Sequence, residues 1–94
     1  MNYLYDLDLD DKDIEELKKL SKNIVESLET FPLIIKTNFN ILKDLGINNY
    51  KDIFLKHTHM FLQNPNRFQA IFDKYEHNDL VRCLEKNGAI IERL

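Results

Sequence analysis

The sequence predicts an all-α fold, either a small single-domain helical bundle or a helical-repeat fragment, of five or six short helices. Three observations carry that expectation. Glycine and proline occur only as Gly46, Gly88, Pro32 and Pro65, whereas a small β-domain spends more of both on its turns. Apolar residues recur at steps of three and four along most of the chain, the spacing of a helix with one buried face. The rare punctuating residues also stand where helices start and stop. Asn64-Pro65 reads as a cap followed by proline at the first helical position, and Gly46 follows an apolar stripe as a stop.

Taken in order, residues 1–9 (MNYLYDLDL) alternate with a period near two, which predicts an extended N-terminal arm ahead of a single α-helical domain over 10–94. Asp10 and Asp13 have the N-cap and N3 spacing of a helix start. Ile14, Leu17, Leu20, Ile24, Val25 and Leu28 then predict one amphipathic helix of about 18 residues, ended at Thr30-Phe31-Pro32. Pro32 opens the next helix, with Leu33, Ile34 and Ile35, then Phe39, Leu42 and Leu45 up to Gly46. Asn48 or Asn49 caps a helix whose stripe runs Tyr50, Ile53, Phe54, His57, Met60 and Phe61. Phe68, Ile71, Phe72 and Tyr75 supply the face of the helix after Pro65. Asn78 is expected to cap a short helix carrying Leu80, Val81 and Leu84, stopped at Asn87-Gly88, with a last helical turn over 89–94.

The net charge of −3 is unevenly spread. Residues 1–30 hold nine acids against four lysines, whereas residues 31–94 hold nine Lys/Arg against seven acids. The acidity is therefore an N-terminal feature, and a generic nucleic-acid binder shows a basic excess instead. Cys83 is the only cysteine, so no intramolecular disulfide forms, which fits a reducing compartment. No apolar run is long enough for a membrane span or a signal-peptide core. A cytoplasmic, membrane-free protein is the expectation.

An inexact internal repeat is also visible. FPLIIKT at 31–37 answers HMFLQN at 59–64, and KDIEEL at 12–17 answers KDIFLK at 51–56. Pro32-Leu33-Ile34-Ile35, followed by Leu42-Lys43-Asp44-Leu45-Gly46 and the helical pattern from Asn49 to Phe61, resembles the mitochondrial transcription termination factor (mTERF) family. Its three-helix units place a proline before a short Leu-rich turn and close with L-x-x-L-G. His59 stands where the second proline would be, and no Leu-Gly follows Phe72. The resemblance implies a right-handed helical solenoid with a nucleic-acid-binding groove. Leu45-Gly46-Ile47 with Tyr50 and Phe54-Leu55 is similar to sterile-alpha-motif domains, five-helix protein-interaction modules, although their second Leu-Gly-Ile is absent.

The candidate chemistry is sparse. Asp6, Asp8 and Asp10 have the opening spacing of a calcium loop, but Asp11 stands where glycine is required and Leu17 where a bidentate glutamate is required. They read as an acidic lead-in to a helix N-terminus. His57 and His59, two apart, would lie about 200° around one helix and would not chelate one ion as an i,i+4 pair does. Cys83 sits among Leu80, Val81 and Leu84, a pattern for a buried and inert thiol. No catalytic residue, cofactor or metal is expected. Lys36, Lys43, Lys51, Lys56, Arg67, Lys74 and Arg82 recur roughly once per helix. Converged on one concave face they would track a phosphate backbone; scattered, they would be ordinary solubilising surface.

Two functions follow as expectations. The first is a non-catalytic helical binding module that contacts nucleic acid, as the mTERF resemblance implies, through Lys36, Lys43, Lys51, Lys56, Arg67 and Lys74. The second is a protein-interaction adaptor or small inhibitor that uses the N-terminal arm, with Tyr3, Tyr5, Asp6, Asp8, Asp10 and Asp11 as contacts. A homodimer is a further expectation, because two repeats leave an apolar end uncapped.

Overall fold

Pro32 sets the corner from which the longest helix leaves. A computed structural model describes residues 1–94. It contains six α-helices and no strand: α1 (Asp11–Lys18), α2 (Lys22–Thr30), α3 (Pro32–Asp44), α4 (Tyr50–Lys56), α5 (Pro65–Asp73) and α6 (His77–Lys86). Three 3-10 helices, Asn2–Leu7, Thr58–Leu62 and Gly88–Arg93, complete it. The all-α expectation holds. Most of the punctuation holds too. The Asp10 side chain accepts from the Asp13 N–H at 2.9 Å while Asp13 accepts from the Asp10 N–H at 3.1 Å, a reciprocal cap that satisfies two orphan donors. Asn64 caps α5 with Pro65 at its start, and Gly46 takes φ +87° after α3, a conformation that costs glycine little.

α3 is the central helix, and a column of phenylalanines runs from it through the core. Phe39 meets Phe54 edge-to-face at 5.4 Å, Phe54 meets Phe61 edge-to-face at 5.0 Å, Phe61 meets Phe68 tilted at 47° and 5.1 Å, and Phe68 meets Phe72 edge-to-face at 4.9 Å. Edge-to-face rings at this spacing gain about 0.5–1.5 kcal/mol per pair beyond the area they bury. All five rings are buried, so they have no free face for base stacking. Asn38, fully buried on α3, donates from Nδ2 to the Phe61 and Gln63 carbonyl oxygens at 2.9 and 2.8 Å. It thereby ties the end of the second 3-10 helix to α3, because backbone carbonyls leaving a helix end need a donor.

Several expectations are corrected. The N-terminal segment is no extended arm: residues 2–7 form a 3-10 helix, and Leu4, Leu7 and Leu9 are buried in the core. The residues that alternate along the sequence are Tyr3, Tyr5, Leu7 and Leu9, but within the helix the buried ones are Leu4 and Leu7, spaced three apart as one face of a 3-10 helix, with Leu9 buried just beyond it. Two hydrogen bonds orient it. The Tyr3 hydroxyl donates to the Leu28 carbonyl at the end of α2, and Asp8 pairs with Lys43 in the last turn of α3. The segment is thus fastened at one end to α2 and at the other to the last turn of α3.

The predicted 18-residue helix is two. α1 stops at Lys18 and α2 restarts after Ser21, whose hydroxyl accepts from the Ile24 N–H at 3.4 Å. A serine in mid-stripe is a cap where the chain turns, and a polar interruption where it does not. α3 runs without a break through Thr37-Asn38 because Asn38 spends its amide on distant carbonyls. The stripe from Tyr50 to Phe61 also divides: α4 ends at Lys56, and Thr58 donates its hydroxyl back to the Phe54 carbonyl at 2.7 Å. HMFLQN therefore belongs to a 3-10 helix whereas FPLIIKT opens α3, and the two do not correspond in local structure. Glu76, not Asn78, caps α6, accepting from the Asp79 N–H at 2.7 Å.

Candidate interaction surface

The six basic residues nominated above do not make one open cationic face. Lys43 Nζ lies 3.2 Å from Asp8 Oδ2, and this hydrogen bond, with the Asp8 charge behind it, raises the Lys43 pKa. The Tyr50 ring lies 5.8 Å from the same ammonium. Lys56 pairs with Asp52 at 3.2 Å. Lys51 is half-buried on α4 and close enough to Asp10 to help lower that carboxyl, after the larger effect of the Asp13 N–H. Lys36 is half-buried on α3. Arg67 and Lys74 remain, both exposed and without an ion-pair partner, seven residues apart along α5 and its C-cap. Arg82 is engaged by Asp79.

The acidic third has an equally specific arrangement. Asp8 and Asp10 face Lys43 and Lys51 and complete the fold. Tyr5 hydrogen-bonds Asp11, which raises the Tyr5 pKa. Burial, then the charge of Glu29, pushes Tyr3 up to about 12. The Tyr3–Leu28 hydrogen bond holds the first 3-10 helix against the end of α2, next to the corner between α2 and α3.

Two exposed apolar residues flank Pro32 at this corner. Phe31, the N-cap of α3, is 47% exposed, and Leu33 is 75% exposed. Tyr5, on the adjoining 3-10 helix, is 48% exposed. Asp6 and Glu29 are exposed beside them in sequence and have no ion-pair partner. Phe31 and Leu33 were legible as a Phe-Pro-Leu start of a helix, but their outward orientation follows from the turn angle at Pro32, which no periodicity encodes.

A second polar constellation escaped the sequence reading. Glu92 of the last 3-10 helix takes His57 Nδ1 at 2.6 Å on Oε2 and His59 Nε2 at 2.9 Å on Oε1. The two histidines converge because α4 ends between Lys56 and Thr58, so the rotation of a continuous helix does not apply. His57 is mostly buried, as its place on the apolar stripe indicated. Each ring nitrogen meets its own carboxylate oxygen, and no group of three His, Cys, Asp or Glu is arranged to hold a metal ion. Cys83 is corrected: it is exposed on α6 rather than buried, because the face carrying Leu80 and Leu84 turns it outward.

Comparison of the chain with protein-family models, with curated proteins and with solved structures finds no match.

Proposed function

We propose that the chain is a non-catalytic helical interaction module that takes a cationic, partly apolar segment of another protein. The docking surface is the corner made by the first 3-10 helix and the α2–α3 junction. One observation carries this reading: Phe31 and Leu33 are exposed next in the chain to the unpaired Glu29, and the first 3-10 helix, fastened there through Tyr3, exposes Tyr5 and the unpaired Asp6. Aromatic and aliphatic anchors with a charged rim are the composition of protein interfaces. The uneven charge supports it further, because nine acids in the first 30 residues attract a basic partner. The pairing of Lys43 and Lys56 with carboxylates weighs against a phosphate-tracking groove.

The test is a double charge reversal, Asp6→Lys with Glu29→Lys. Neither side chain is buried, so the fold survives. A fluorescently labelled peptide alternating arginine and leucine binds the wild type saturably. The variant loses at least about tenfold in affinity, the scale set by two interfacial charge pairs of roughly 1 kcal/mol each. Equal affinity for the two proteins would remove this surface from the account.

A second reading rests on α5. Arg67 and Lys74, two helical turns apart on one face, would lie about 10 Å from each other. Together with the mTERF resemblance they support contact with a nucleic-acid backbone. Under that reading the Arg67→Ala and Lys74→Ala pair abolishes binding to labelled duplex DNA, and the Asp6/Glu29 reversal strengthens it.

A further inference from the structure

The last 3-10 helix, Gly88–Arg93, is attached by both apolar and polar contacts. Ile91 is buried at 1% exposure, and Gly88 packs so closely on Ile53 that a Cβ there would stand 2.7 Å from Ile53 Cγ1. Between these anchors the Glu92 carboxylate reaches back to the connection after α4 and is held by two imidazoles.

We propose that Glu92, His57 and His59 form a pH-responsive latch, in which charging of the histidines below neutral pH tightens the C-terminal 3-10 helix onto the end of α4. When neutral, each imidazole offers the carboxylate a hydrogen only as one tautomer, Nδ1–H at His57 and Nε2–H at His59. When charged, both ring nitrogens carry hydrogens, no tautomer need be selected, and bonds already assisted by the ionised carboxylate gain a charged donor as well. Histidine is the side chain whose ordinary titration falls between pH 5 and 8. Glu92 stays ionised through that range, because hydrogen bonds from His57 and then His59 hold its carboxyl below the usual value.

The neighbouring charges do not compete for this carboxylate. On α4, Asp52 and Lys56 are paired with each other at 3.2 Å. On α6, Glu85 accepts from the Asn48 N–H at 2.8 Å, Arg82 is engaged by Asp79, and Lys86 is exposed without an ion-pair partner. Within the segment itself Arg93 is exposed and unpaired. The third histidine, His77, is the first residue of α6. The latch has a structural consequence next door: Ile90 and Leu94 of the same segment, with Tyr75, Leu80 and Cys83, line an apolar cleft of about 190 Å³. Its wall is firm or loose according to the state of the latch.

The experiment is amide hydrogen exchange of residues 88–94 in the intact chain, at about pH 5.5 and about pH 8, the two sides of the histidine range. Rates are corrected for the intrinsic dependence of exchange on pH. The wild type shows roughly three- to tenfold greater protection at the lower pH, the range expected when the donors to an ionised carboxylate become charged as well. Glu92→Gln, which keeps the shape but not the charge, removes most of that difference. His59→Gln, at a half-exposed position that cannot threaten the fold, reduces it to an intermediate value. Equal protection at both pH values in the wild type overturns the latch. A pH difference that survives undiminished in His59→Gln overturns it independently of how Glu92→Gln behaves.

Discussion

The Tyr3 hydroxyl donates to the Leu28 carbonyl oxygen across 2.5 Å, joining positions 25 residues apart. This bond fastens the first 3-10 helix to the end of α2, and with Leu4, Leu7 and Leu9 in the core it makes the N-terminus part of the fold. Deleting residues 1–9 therefore removes three buried leucines, each worth about 1.5–3 kcal/mol of transfer free energy. The total approaches the whole stability of a domain this size. The deletion is expected to abolish cooperative urea unfolding, so it cannot serve as a test of binding. Tyr3→Phe, which leaves the carbonyl unpaired but keeps the packing, costs about 1 kcal/mol in the same measurement.

The same tyrosine predicts an alkaline transition. Its pKa is pushed from the ordinary 10.0 up to about 12, chiefly by burial. A folded value above the unfolded one gives stability that is complete below pH 10 and lost as pH rises from 10 toward 12. Absorbance titration of the phenolates should show one tyrosine ionising near the upper value, together with unfolding. Tyr3→Phe removes that late step.

At the acid end the sign reverses. Asp10 is held below its ordinary value first by the Asp13 N–H of the capping box, and Glu92 is lowered by His57 and His59. Groups with depressed folded values contribute stability that is present above the unfolded carboxylate range and lost as pH falls through it. Asp10→Ala should lower the melting temperature near neutrality, and the penalty should shrink in melts taken well below the ordinary carboxylate range, as the lowered wild-type carboxyl is protonated too.

Asn38 allows a sharper prediction than any single phenylalanine. Phe61→Ala leaves a cavity and costs about 3–5 kcal/mol. Asn38→Leu keeps the branched outline yet strands the Phe61 and Gln63 carbonyls, at about 1–3 kcal/mol for each buried unsatisfied group. Urea denaturation should therefore rank Asn38→Leu as comparably harmful. Asn38→Leu at wild-type stability would mean that those carbonyls find other donors.

How far the sequence carries depends on whether a feature is local. The caps at Asp10 and Asn64, the proline starts and the stop at Gly46 are decided within a few residues, and all are readable. So is the burial of Phe39, Phe54, Phe61, Phe68 and Phe72, because helical spacing fixes their common face. The break at Leu20-Ser21 and the end of α4 before Thr58 depend on side-chain bonds to nearby backbone, which a stripe of leucines and phenylalanines hides. The docked N-terminus, the Asp8–Lys43 pair and the Glu92 clamp join positions 25 to 35 apart. Nothing in a single sequence announces such pairs. The candidate interaction corner was half legible: its acids stood out as a charge imbalance, while the exposure of Phe31 and Leu33 came only with the turn at Pro32.

The central claim, that this chain takes a basic protein segment and not a nucleic acid, is tested most directly by parallel anisotropy titrations. The probes are the labelled arginine–leucine peptide, duplex DNA, single-stranded DNA and RNA, each at low salt and near physiological salt, where the Debye length falls to about 8 Å. The account predicts saturable peptide binding at both salt levels, since the apolar contacts of Phe31 and Leu33 are not screened, and no saturable binding of any nucleic acid even at low salt. Saturable nucleic-acid binding that weakens steeply with salt, as release of several counterions requires, with no peptide binding, would contradict it and give the α5 face the leading role.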